Sequence, residues 1–173
     1  MLNEKLENYL NKQINAEMWS AYLYLSMAAY CHNNDLNGFA NWYSVQFKEE
    51  QDHAMIFFNY VNSRGGKVSL MPLAEVETEW DSILAAAEHT LRHEEKVTGM
   101  INELYFVAME EKDFATQSML KWFIDEQVEE EENVKEIISK LKLLKGNGYG
   151  LYTLDKELAA RVYTQAAPLA AKA

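Results

Sequence analysis

Cysteine, proline and glycine are scarce in this sequence: one, two and seven residues in 173. A single cysteine, Cys31, cannot close an internal disulfide, which fits a reducing compartment. No stretch approaches the ~18 uninterrupted apolar residues of a membrane-spanning helix, and residues 1–13 hold no apolar run of signal-peptide length. A cytoplasmic protein with no membrane partner is the expectation. Positive charge is also short. Sixteen Lys and Arg face 27 Asp and Glu, for a net charge of −11 and a pI near 4.8. A nucleic-acid partner is excluded on this ground, because binding requires a basic face that neutralises phosphates. The acidic balance suits a protein that draws cations. Alternating strand patterns and low-complexity segments are missing as well.

The few helix breakers are unevenly placed. The first 64 residues contain only Gly38, and the punctuation then falls at RGGKVSLMP (64–72), at GNGYG (146–150) and at Pro168. Between these lie long runs rich in Ala, Leu, Glu, Lys and Met, which favour helix. The pattern predicts helices near 4–33, 37–64, 81–111 and 113–145, with Asp81 as N-cap of the third. A short fifth helix is expected near 152–162, followed by a tail over 163–173. The chain reads as one domain over 1–173. Short first and third connections imply antiparallel neighbours. The connection over 65–80 is long enough to cross the bundle: ~16 extended residues reach roughly 55 Å, against about 42 Å for a helix of ~28 residues. The expected fold class is all-α, a four-helix bundle with one long crossover between its second and third helices.

Each long helix carries the 3-4-3-4 stripe that faces a bundle core. The first reads Leu10, Ile14, Glu17, Ala21, Tyr24, Ala28. The second reads Phe39, Tyr43, Gln46, Glu50, His53, Phe57, Tyr60. The third reads Ile83, Ala87, Thr90, Glu94, Val97, Ile101, Leu104, Ala108, and the fourth Leu120, Phe123, Gln127, Glu130, Val134, Ile137, Leu141. Acidic residues interrupt every stripe near mid-helix, and mid-helix positions share one level in an antiparallel bundle. The stripes therefore bring Glu17, Glu50, His53, Glu94, Gln127 and Glu130 into one buried layer.

Four carboxylates cannot stay ionised and unpaired in an apolar core. No stripe position supplies a Lys or Arg at that level, so the charge is met by outside cations or by shared protons. Two divalent metals would balance four carboxylates. Carboxylate oxygens with one imidazole suit iron or manganese rather than a structural thiolate zinc site. Glu50-x-x-His53 places both side chains on one helix face, half of the pattern found in di-iron carboxylate bundles. Alone, this pair would be an ordinary surface pair, and one stripe Glu an ordinary snorkelling residue. Six polar interruptions at one level are not explained that way.

The segments QINAEMWSAYLYLSMA (13–28), GFANWYSVQFKEEQDHA (38–54), EHTLRHEEKVT (88–98), EKDFATQSMLKWFIDEQVEEE (111–131) and LDKELAAR (154–161) resemble the non-haem bacterial and archaeal ferritins over essentially the whole chain. The resemblance implies the ferritin-like fold and a ferroxidase centre that oxidises Fe(II) with O₂. One iron would be held by Glu17, Glu50 and His53. A second would be held by Glu94 and Glu130, with Glu50 bridging and Gln127 beside the pair. It also implies a third iron nearby, at Glu49, Glu126, Glu129 and Glu130. Glu126 and Glu129 are three apart and rotated off the stripe, as Glu49 is, although Glu129 to Glu132 also reads as a solvated acidic face. Tyr24 matches the tyrosine next to the centre, either as an electron donor or as a hydrogen-bonded stripe aromatic, and Trp122 a nearby tryptophan. No haem is implied, because Gln51 stands where haem-binding relatives carry the ligating methionine. The resemblance further implies a hollow shell of 24 identical subunits that keeps ferric mineral inside.

Three rivals remain in view. A di-iron oxidase acting on a small molecule would need no shell. A DNA-protecting mini-ferritin would place its iron between subunits. A purely structural bundle would leave the buried carboxylates unexplained. For assembly, Trp19, Tyr22, Leu23, Tyr30, Phe47, Met55 and Phe58 lie off the stripes and are expected on the surface, where large apolar patches mark interfaces. The fifth helix, with Leu151, Leu154 and Leu158 on one face, is too short to stand alone and must dock.

Overall fold

The computed structural model describes residues 2–170, and among them there is no strand. Four long helices run Glu4–Asn33 (α1), Asn37–Ser63 (α2), Ile83–Glu110 (α3) and Phe114–Leu144 (α4). Two short ones follow, Gly148–Leu158 (α5) and Ala167–Ala170 (α6). Among the described residues no helix is long and apolar enough to cross a membrane.

Helix ends are set by local chemistry. Asn3 caps α1 through its side-chain oxygen, which accepts from Lys5 N and Leu6 N at 2.7 and 3.4 Å. Asp113 caps α4 by accepting from Thr116 N at 2.9 Å. Its two oxygens also take both arms of Arg64 at 3.0 and 2.8 Å, tying the end of α2 to the start of α4. The third helix is capped by Ser82, whose hydroxyl accepts from Ala85 N at 3.1 Å, rather than by the expected Asp81. Either residue type can cap; the chain turns into helix one position later, and the hydroxyl reaches the free N–H.

The long connection runs along α1. Asn11 donates to the Lys67 carbonyl, Asn15 to those of Met71 and Pro72, Trp19 to Glu75, and Ser26 to Glu77. This 15-residue advance along α1 is about 22 Å, so polar side chains of α1 stitch the crossover down much of the bundle.

Every stripe residue named above is buried except Tyr60, which is half-buried. Two apolar clusters fill the ends of the bundle. One is built around Leu23, Tyr24, Phe39, Tyr43 and Ile138, the other around Leu6, Leu10, Phe57, Ile101 and Phe123. Polar residues lie between them, so the core is dry above and below a charged layer. Leu23 and Tyr30 correct the expected surface set: they are 0% and 7% exposed, inside the first cluster. The apolar stripe of α1 is wider than a 3-4 seam, because the crossover covers a second face.

The fifth helix begins at Gly148, not near 152, and ends at Leu158. Asn147 caps it by accepting from Tyr149 N and Gly150 N at 3.0 and 3.1 Å, so the glycine-rich stretch opens the helix rather than preceding it. A Cβ on Gly150 would lie 2.6 Å from Leu144 Cδ2, which explains why glycine suits that first turn. The helix docks on its own bundle through the buried Leu154 and Leu158. Asp155, inside α5, caps α2: its Oδ1 accepts from Gly38 N and Phe39 N at 2.8 and 3.0 Å. A Cβ on Gly38 would fall 1.6 Å from the Asp155 carbonyl oxygen, so only glycine permits this approach.

Candidate metal centre

Glu17, Glu50 and His53 meet in the polar layer, with one potential ligand atom from each lying within 4.8 Å of the others. All three are buried, at 1%, 2% and 2% exposure. Helix periodicity sets this up: Glu50 and His53 are one turn apart on α2, and Glu17 faces them from the middle of antiparallel α1. His53 is fixed edge-on to Trp122 and Phe123, with ring centroids 5.5 and 5.7 Å away. Glu94 on α3 and Glu130 on α4 are buried at 0% and 3%, and their charges bear on Glu50. Gln127 bridges α4 to α3, donating to Glu94 Oε2 at 3.2 Å and Thr98 Oγ1 at 3.3 Å.

No Lys or Arg neutralises these four carboxylates among the described ion pairs, and burial dominates their acidity. Desolvation pushes Glu17 and Glu50 well above the usual carboxylate range, with carboxylate neighbours adding to it. Burial raises Glu94 too, and with the charge of Glu94 it lifts Glu130 to about 8. The metal-free layer thus holds protons, and Glu17 and Glu50 are close enough to share one. Glu50 Oε2 is buried without a hydrogen-bond partner, and His53 Nδ1 lies 3.4 Å from it. A buried, unsatisfied carboxylate oxygen amid other carboxylates and an imidazole fits a hard divalent cation.

Two amides that the stripe analysis did not assign to the site orient it. Gln13 Nε2 donates to Glu17 Oε1 at 2.8 Å, and Gln46 Nε2 to Glu130 Oε2 at 2.9 Å. Gln13 is four residues before Glu17, and Gln46 is on the α2 stripe four before Glu50, so spacing carried a signal for both. Tyr24 is fully buried and its hydroxyl donates to Glu94 Oε1. Burial first, then the Glu94 charge, pushes its phenol well above its ordinary range. Ser20 and His93, buried on α1 and α3, pair at 2.7 Å beside it.

The three outlying glutamates behave differently. Glu49 and Glu126 are half-buried and Glu129 is exposed. None of them joins the tight trio of potential ligands. Glu49 Oε2 instead accepts from Arg161 Nη2 at 2.7 Å. Burial raises the Glu49 and Glu126 carboxyls; Arg161 works against this at Glu49, whereas Glu129 adds to it at both.

Comparison with known proteins is consistent across three levels. The family model for the ferritin-like domain matches residues 7–144. The bacterial non-heme ferritin of Staphylococcus saprophyticus is 41% identical over 165 residues, covering 95% of this chain and 99% of that one. The bacterial non-heme ferritin of Bacteroides fragilis is 40% identical over 161 residues, covering 93% and 100%. Among solved structures, an open-pore ferritin from the hyperthermophilic archaeon Archaeoglobus fulgidus superposes with a TM-score of 0.93 at 51% identity, over 94% of this chain and 100% of that one. A form of that ferritin engineered to be closed gives 0.94, also at 51% identity.

Proposed function

The chain belongs to the ferritin family, and on that premise we propose that it is an iron-storage subunit whose buried carboxylate layer oxidises Fe(II) with O₂. The observation that carries this reading is the layer itself: four buried carboxylates and a histidine, with no Lys or Arg paired to them among the described residues. Iron is the substrate and cargo. Glu17, Glu50 and His53 take one Fe(II). Glu94 and Glu130 take the second, with Glu50 between the two and Gln127 alongside.

Binding two divalent ions replaces the protons that the layer holds, so uptake releases protons and strengthens as pH rises. Each Fe(II) gives up one electron to O₂, and hard anionic oxygens favour the Fe(III) product over Fe(II). The protein supplies position and charge. Gln13 and Gln46 aim Glu17 and Glu130, while Trp122 and Phe123 hold the His53 ring. Tyr24 fixes one oxygen of Glu94, and its phenol, in direct contact with that ligand, is placed to lend an electron.

Storage requires more capacity than two ions per chain, so the reading includes a closed homo-oligomeric shell, of 24 subunits. Exposed Tyr22, Met55, Leu70, Phe114, Tyr149 and Tyr152 support interfaces between copies. The docked α5 leaves Tyr149 and Tyr152 outward, at 80% and 57% exposure, available to a neighbour.

Stopped-flow oxidation of anaerobically loaded Fe(II) tests the centre. Glu17→Ala, Glu50→Ala and His53→Ala are each expected to abolish fast oxidation while the fold survives, since removing a buried carboxylate relieves repulsion in the metal-free protein. Wild-type rates in all three variants would sink the assignment. Fast oxidation by a species of one or two subunits that retains only a few irons would favour a di-iron oxidase instead.

A further inference from the structure

Tyr24 is not isolated in the core. His93 of α3 lies edge-on to it, with ring centroids 6.0 Å apart, and the same imidazole meets the Trp19 ring at 5.1 Å. Ser20 holds that imidazole, its hydroxyl 2.7 Å from Nε2. Tyr24 and His93 are buried, whereas Trp19 is half-buried. Ring contacts therefore run without a break from the metal layer to the edge of the bundle.

That edge is a cleft. Trp19 and His93 line a cavity of about 470 Å³ between α1, α3 and the crossover, together with Met71, Met100, Lys12 and Lys96. In a chain of net charge −11, none of the residues described as lining it is acidic. An apolar floor with lysines around it suits an organic anion. A second run of contacts leaves Tyr24 for Tyr43, stacked at 6.1 Å, and then Trp42 at 5.0 Å. It ends in the interior: Trp42 is 5% exposed, and the Arg161 guanidinium lies 4.8 Å from its ring centroid.

We propose that Trp19, through His93, returns an electron to Tyr24 after Tyr24 has given one to the metal centre, and that the cleft takes an anionic enediol-type reductant that restores Trp19. This rests on the reading of Tyr24 as an electron donor and extends it. Each step moves one electron. Tyr24 loses an electron to the centre, where O₂ is the oxidant, and its hydroxyl proton to Glu94. The Trp19 indole supplies the replacing electron and Glu94 returns the proton, which leaves the indole as a one-electron-oxidised cation. The enediol monoanion gives that cation an electron and releases its own proton to water. Lys96 Nζ, 5.9 Å from the Trp19 centroid, disfavours the oxidised ring, so the charge is passed on to the anion rather than stored. The path drains an oxidised phenol out of the apolar core.

Freeze-quench electron paramagnetic resonance tests this on intact protein carrying ring-deuterated tryptophan, loaded anaerobically with Fe(II) and mixed with oxygenated buffer. Wild type is expected to give an indole signal that is lost when ascorbate is added. Trp19→Phe is expected to lose the indole signal and accumulate a tyrosyl signal that persists with ascorbate. Trp19→Tyr, nearer in size and still oxidisable, should also lose the indole signal yet keep the discharge by ascorbate. Tyr24→Phe should lose both signals, and Trp42→Phe should behave as wild type. Zn(II) titration should find two tightly bound ions in every variant, which separates a lost path from a damaged centre. A tyrosyl signal that decays alike in wild type and Trp19→Phe would overturn the inference and leave Tyr24 as the donor. So would an indole signal that survives in Trp19→Phe or vanishes in Trp42→Phe. Absence of a tyrosyl signal in both wild type and Trp19→Phe would overturn the donor reading of Tyr24, and this inference with it.

Discussion

Raising the pH from 6.5 to 8 should destabilise the metal-free protein. Burial, reinforced by Glu94, holds the Glu130 carboxyl at about 8, against 4.5 for an ordinary glutamate. The folded chain therefore keeps a proton on Glu130 that the unfolded chain has already lost. Stability from this group is fully present below 4.5 and is lost as pH climbs through 8. At 1.36 kcal/mol per pH unit, Glu130 alone accounts for about 2 kcal/mol between pH 6.5 and 8. The other raised carboxylates, Glu17, Glu50 and Glu94, act with the same sign. Below 6.5 the buried His93 acts oppositely. Desolvation lowers it to about 4, so its contribution falls as acid protonates the unfolded chain. The window from 6.5 to 8 isolates the carboxylates. Thermal unfolding of chelator-treated protein should show the midpoint falling by roughly 4–8 °C across it, at ~2–4 °C per kcal/mol for a chain of this size. Glu130→Gln, which can still accept from Gln46, should remove about 2 kcal/mol of that slope. Saturating Zn(II) should reverse it, because the bound carboxylates are ionised. A flat midpoint in wild type, or an equal slope in Glu130→Gln, would refute the protonated layer.

Gly38→Ala should force α5 off α2, since the new methyl would overlap the Asp155 carbonyl. Losing the burial of Leu154 and Leu158 costs about 3 kcal/mol, and protease cleavage near 148–158 reads it; an uncut, equally stable variant would refute the docking. Tyr24→Phe removes the donor to Glu94 and should slow oxidation about two- to tenfold, the worth of one hydrogen bond, with both tight ions still bound; an unchanged rate would make Tyr24 only a core aromatic. Native mass spectrometry at near-physiological salt should find a shell of 24 subunits, and a monomer or dimer would contradict storage.

The bundle and its polar layer were legible because both follow from helical period. Spacing of 3 and 4 put Leu10, Ile14 and Glu17 on one face wherever the helix lay, and antiparallel pairing aligned the mid-helix positions of Glu50, Glu94 and Glu130. The absence of a neighbouring Lys or Arg then argued for outside cations. Other features had no period to betray them. Asp155 caps α2 from 117 residues away, and Arg161 finds Glu49 across 112. Both depend on how far α5 extends, which Asn147 and a tolerated Gly150 set locally, and on a glycine at 38 that lets two backbones touch. Sequence spacing also could not separate Glu49 from Glu50. Adjacent positions on a helix point about 100° apart; the packed bundle turned one carboxylate into the dry core and the other onto the guanidinium of Arg161.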